Sequence, residues 1–144
     1  MFIATTLTEQ TEADNWCPQQ EHSVLLRNRR FQLWEYRVGH GCLLVRSPND
    51  ENHPTNVDVI CEGVLYMELP RFIPDLRLDS PTDEEILHAK GRIMGHKCKN
   101  ERVRIFTVSG ARFTVVSLTI NVREHRDGWL HSPFNSPVTD HSYQ

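Results

Sequence analysis

Val57-Asp58-Val59-Ile60-Cys61-Glu62-Gly63-Val64-Leu65-Tyr66-Met67-Glu68-Leu69 sets apolar residues or glycine at every odd position and places Asp58, Glu62, Tyr66 and Glu68 among the even ones. Successive side chains of a strand point to opposite faces, so this alternation predicts one half-buried strand over 57–69, its odd side on a core and its even side in water. Pro70 and Pro74 close it, because proline brings no amide hydrogen to a ladder.

Upstream, Phe31 to Val38 puts Trp34, Tyr36 and Val38 on one side, Gly39-His40-Gly41 interrupts, and Cys42 to Arg46 resumes as an apolar run. Strand, tight turn, strand is the economical reading, since glycine admits the positive φ that hairpin turns require. The segment 47–56, SPNDENHPTN, is dense in turn formers and predicts an exposed loop into the long strand. Downstream, Ser80 as a cap, Pro81 at the first helical position and Asp83, Glu84 and Glu85 in the first turn predict a short helix over about residues 81–94. Its narrow apolar stripe, Ile86, Leu87, Ala89, Ile93 and Met94, is expected to pack on one sheet face.

Between Arg102 and Arg123 two strand-like runs flank Ser109-Gly110-Ala111. A two-residue loop at Gly110-Ala111 pairs Ile105 with Val116 and Val103 with Leu118; a loop at Ser109-Gly110 moves the pairs by two and keeps the faces. An odd loop would set Val103 against Ser117, so the apolar register argues for an even one. Ile120 and Val122 then extend the same face. The opposite face gathers Phe106, Val108, Phe113 and Val115 beside Arg102 and Arg104, and is either covered by a second layer or a contact surface. The whole predicts a β-dominated α+β fold, a mostly antiparallel sheet of about five to seven strands with one helix packed against it.

A chain of 144 residues suits one domain. Polar, aperiodic residues 1–22 read as an N-terminal arm, 23–131 as the single β-rich domain, and 132–144 as a polar tail. A net charge of −3 gives no global attraction for nucleic acid, and the short basic run Arg27-Asn28-Arg29-Arg30 beside Phe31 and Trp34 reads as a solvated loop. Neither a basic leader nor an apolar run of about 20 residues is present, so no membrane association is expected and the cytoplasm is the expected location. The four cysteines, at 17, 42, 61 and 98, are too scattered for a disulfide framework and are read as thiols, with Cys61 in the core.

Chemistry is sparsely signalled. His40-Gly41-Cys42 and His96-Lys97-Cys98 each put two metal-ligand types on one face of an extended chain, and four such groups would suit zinc; their spacing matches no zinc knuckle and Cys-x-x-Cys is absent. Arg123-Glu124-His125-Arg126-Asp127 brings an acid, a base and a proton shuttle to a strand end, where charged residues are usually just solvated. No nucleophile elbow, phosphate-binding loop or dinucleotide fingerprint occurs, so no cofactor is expected. The function expected is therefore a non-enzymatic interaction protein that uses a sheet surface, Phe106 and Phe113 with Arg102 and Arg104, to bind a protein partner or a second copy of itself. The alternative is a metal- or ligand-binding domain or enzyme using the histidines, cysteines and carboxylates at strand ends.

Overall fold

The odd-side register holds where the alternation is cleanest: Val57, Val59 and Cys61 are fully buried. They lie on a strand that ends sooner than the pattern suggests. A computed structural model describes residues 23–128 and 130–135. The expected N-terminal arm and the end of the expected tail, 136–144, lie outside the described residues.

The described residues form nine strands: β1 (Phe31–Arg37), β2 (Cys42–Ser47), β3 (Asn56–Glu62), β4 (Tyr66–Met67), β5 (Phe72–Ile73), β6 (Leu76–Asp79), β7 (Val103–Val108), β8 (Ala111–Val116) and β9 (Thr119–His125). One sheet has the order β5-β1-β2-β3-β9 and the other β4-β8-β7-β6, and every pairing is antiparallel. Leu43, Val45, Val57, Val59 and Cys61 of the first sheet share one core with Leu78, Phe106, Val108 and Val115 of the second. The helix α1 (Asp83–Arg92) covers the other face of the second sheet, where Ala89 and Ile93 pack with Val103 and Val116. The β-dominated α+β class is as expected; the strand count exceeds the expected range because β4 and β5, of two residues each, and β6 are too short to show a period.

Both hairpins form as read. β1 and β2 flank a 3-10 turn, Val38–His40, closed by Gly41 at φ 58. β7 and β8 enclose Ser109 and Gly110, both at positive φ, giving the even loop with Val103 opposite Val116 and Phe106 opposite Phe113.

Two readings of long continuous strands are overturned, for one reason. The chain leaves the first sheet at Gly63, φ 67, and re-enters the second as β4, so 57–69 is two strands in two sheets. Likewise it leaves the second sheet at Ser117-Leu118 and re-enters the first as β9, so Ile120 and Val122 face the inter-sheet core while Val116 faces the helix. The two crossings are neighbours: the Leu118 amide donates to Glu62 O at 3.0 Å and to Gly63 O at 3.2 Å. A Cβ on Gly63 would stand 2.7 Å from that of Leu118, a separation only glycine allows. Leu65 and Leu118, read as core, therefore sit on the outside of the corner, 47% and 54% exposed.

The even side of β3 is also not in water, for Asn56, Asp58 and Ile60 are buried. At the helix start, Thr82 and not Ser80 is the cap: its hydroxyl accepts from the Glu85 amide while the Glu85 carboxylate accepts from the Thr82 amide, a reciprocal box that satisfies two otherwise orphaned donors.

Candidate functional site

Two places gather polar chemistry, the outer face of the first sheet and the corner where the chain changes sheets. On the outer face, Arg46 of β2 and Asp58 of β3 stand opposite each other, and both side chains are 0% exposed. Arg46 grips the carboxylate through Nε to Oδ1 at 2.6 Å and Nη2 to Oδ2 at 2.8 Å, a two-pronged pairing that suits guanidinium geometry. His125 Nε2 lies 2.8 Å from Oδ2, and the Asp127 amide donates to its Nδ1 at 3.2 Å. The assignment that satisfies both contacts puts the ring proton on Nε2, donating to Asp58. Arg123 adds its Nε at 3.9 Å from Asp58 Oδ2, and the Arg46 guanidinium sits over the Trp34 ring.

The chain beyond β9 then lies across this face. Arg46 Nη1 donates to His131 O at 2.7 Å, the Ser132 hydroxyl donates to Glu35 Oε1 at 2.6 Å, and Arg37 Nη2 donates to Asn135 Oδ1 at 2.5 Å. Burial pushes the Glu35 carboxyl up, but the Ser132 hydroxyl and the Arg37 guanidinium outweigh it and hold it below its ordinary value. The start of the segment read as a polar tail, residues 132–135, is held on this face by these bonds. The buried carboxylate takes three close donors from Arg46 and His125, while Arg123 Nε is buried nearby with no hydrogen-bond partner of its own; both ring nitrogens of His125 are engaged, so the strand-end constellation is an internal network and not an open acid–base centre.

The corner differs. A hollow of about 400 Å³ opens there, lined by Gly63, Leu65, Val116, Ser117 and Leu118 from the two crossings and by Lys97, Cys98, Lys99 and Arg102 from the segment between α1 and β7. Its lining brings three aliphatic side chains, Leu65, Val116 and Leu118, together with three cations. Among the described residues none of Lys97, Lys99 and Arg102 is within ion-pair distance of a carboxylate. Arg102 spends Nη1 on Leu118 O at 2.5 Å, leaving the other donors of its five. Arg104 supports the crossing from within: it donates to Ser117 O at 3.2 Å and Leu118 O at 3.1 Å, and burial pulls its pKa below the ordinary value. Beneath it the Cys61 thiol is pushed up to about 12 by burial, against the Ser117 hydroxyl and the Arg104 charge, and is a core group.

Of the four residues expected to make one sheet surface, Phe106 and Phe113 do stand directly opposite each other, but the four form no open surface. Phe106 is fully buried in the inter-sheet core, so the second layer covers the Phe106/Phe113 face. Phe113 is half-buried beside a separate hollow with Leu33, Met67 and Pro70; Arg104 is an internal clamp, and only Arg102 reaches the open corner. His40, Cys42, His96 and Cys98 do not assemble: among the described residues no three His, Cys, Asp or Glu side chains group as a metal site. The basic run disperses as well, because Arg29 is buried on Thr55, through Nη1 to the carbonyl at 2.9 Å and Nη2 to the hydroxyl at 3.0 Å, and Phe31 is core.

Leu65, Leu118, Lys97 and Lys99 were missed by the pattern reading. Gly63 inside an alternating run and Ser117 between two apolar runs were the available signals, since an isolated glycine in a strand marks a break or a close backbone approach. Comparison of the chain with protein-family models, with curated proteins and with solved structures finds no match.

Proposed function

We propose that this chain is a non-enzymatic interaction protein that receives an acidic, leucine-bearing segment of a protein partner in the corner hollow. The observation that carries the reading is the coincidence of two half-exposed leucines with three cations that no described carboxylate neutralises. Apolar anchors seated in a concavity and ringed by charge are the usual anatomy of a specific protein contact. An open hollow of this size takes a few side chains and not an acyl chain, which needs enclosure over most of its surface. Three cations are also a weak hold on a membrane, at about 1 kcal/mol each. No described helix is long and apolar enough to cross one. A reducing compartment such as the cytoplasm suits the free thiols of Cys42, Cys61 and Cys98.

The test is a fluorescence-anisotropy titration of the full chain with labelled decapeptides alternating Asp and Leu, and with Lys-and-Leu and Asp-and-Ser controls. The acidic leucine peptide should bind, and binding should weaken as salt rises. Arg102→Glu should cut affinity about tenfold, because it turns an attraction into a repulsion. Equal binding of all three peptides, or affinity indifferent to Arg102→Glu, overturns the reading.

A further inference from the structure

The helix α1 buries only one side. Ile86, Ala89 and Ile93 pack on the second sheet, whereas Leu87 is 74% exposed and Met94, just past the helix end, is 92% exposed. The sequence stripe that joined all five as one packing face is therefore two faces. Met94 also holds φ 49, a left-handed conformation that unbranched non-glycine residues seldom adopt, although Gly95 stands next to it.

Around Leu87 the charges are ordered. Asp83 and Glu84 precede it and Lys90 follows it, all exposed, and among the described residues none of the three is in an ion pair. Glu85, by contrast, is turned to the sheet and held by Arg112 at 2.8 Å, which with the capping bonds brings its pKa down to about 2 against desolvation. At 3.6 residues per turn, Glu84, Leu87 and Lys90 are neighbours along one strip of helix surface.

We infer that α1 is a self-association surface, pairing antiparallel with α1 of a second copy about a twofold axis at Leu87. The strip is its own complement under that rotation. Leu87 meets Leu87, Glu84 of each copy meets Lys90 of the other, and Gly91 falls opposite Asp83. A Cβ on Gly91 would meet nothing within 4 Å, so this point of the helix is bare and two backbones can approach there. Because the contact is isologous it closes as a dimer and does not propagate. A parallel arrangement would set Glu84 against Glu84 and Lys90 against Lys90, and an unrelated partner has no reason to carry the same strip reversed. Ten helical residues a side fall below the size of a stable interface, so the dimer is a weak one.

Sedimentation equilibrium of the full chain up to roughly 1 mM tests this. The wild-type chain should show a monomer–dimer equilibrium that weakens with added salt. Leu87→Glu should raise the dissociation constant by at least about tenfold, and Glu84→Lys and Lys90→Glu should each raise it several-fold by setting like charges opposite. The double variant Glu84→Lys/Lys90→Glu should return it to within about twofold of wild type, because the reversed strip is again self-complementary. Far-ultraviolet circular dichroism checks that each variant is folded, and the charge swap decides the matter even if Leu87→Glu unfolds. A wild-type chain that is monomeric throughout, or a double variant as weak as the singles, overturns the inference. None of these substitutions touches the corner hollow, so failure here leaves the proposed peptide site standing, and the reverse.

Discussion

The outer face of the first sheet and the corner between the sheets both gather cations, yet they use charge in opposite ways. At Arg46 the guanidinium is buried, gripped by Asp58, capped by the His131 carbonyl and laid over Trp34. At the corner the cations of Lys97, Lys99 and Arg102 surround exposed leucines and meet no described carboxylate. A charge taken out of water must find a partner or be neutralised, so pairing at Arg46 is a condition of folding. A charge left in water needs none, and its placement beside apolar surface is free to serve recognition. Cation content alone does not separate a structural cluster from a binding one; pairing with a carboxylate does.

The largest effect that can break this contrast is at Asp58. Asp58→Ala removes the acceptor of Arg46 and His125 and leaves a guanidinium buried without its carboxylate, which should destabilise the fold by about 3–5 kcal/mol. Urea denaturation followed by tryptophan fluorescence measures it. A loss under about 1 kcal/mol would mean that the outer face tolerates a free charge, and the distinction between the two regions would go with it.

How far the sequence foretold each region follows from the same physics. The alternation at Val57, Val59 and Cys61, the glycine turn before Cys42, the even loop at Ser109-Gly110 and the acidic helix start were all legible, because each depends on a side-chain period or on local φ preferences. Whether the even side of β3 is wet depends instead on what lies over it. Asp58 reads as a solvent residue until the chain beyond β9 is laid across the sheet, and nothing local to 57–62 encodes that. Gly63 and Ser117 hide the crossings for a related reason: alternation carries through a sheet change when the break has the right length, as at Met67, whose odd position still faces the core. Thus Phe106 and Phe113 were correctly placed on one face, but whether that face is open or covered was a question of the second sheet and not of the strand.

An intermediate effect sharpens the contrast at the corner itself. Gly63→Ala forces a Cβ to within 2.7 Å of the Leu118 Cβ at a backbone position of φ 67. The combined clash and strain should cost about 1–3 kcal/mol. The same variant should lose the acidic leucine peptide even under conditions where it stays folded, because the shift of Leu118 reshapes the lining of the hollow. Thermal denaturation gives the first number and the anisotropy titration the second. Retained stability would show that the two crossings are not wedged together as the geometry requires.

The smallest expected change is the most discriminating. Leu65 and Lys99 are exposed, and among the described residues the Lys99 ammonium makes no hydrogen bond or ion pair, so Leu65→Ser and Lys99→Glu should each move the unfolding free energy by no more than about 0.5 kcal/mol, as surface substitutions do. Peptide affinity should nevertheless fall several-fold in each, through lost apolar contact in the first and through repulsion in the second. The outcome that would sink the contrast is the reverse pairing, a large loss of stability with binding intact. That result would make Leu65 and the corner cations a part of the fold's own cohesion, as Arg46 is, and would leave no region of the corner set aside for a partner.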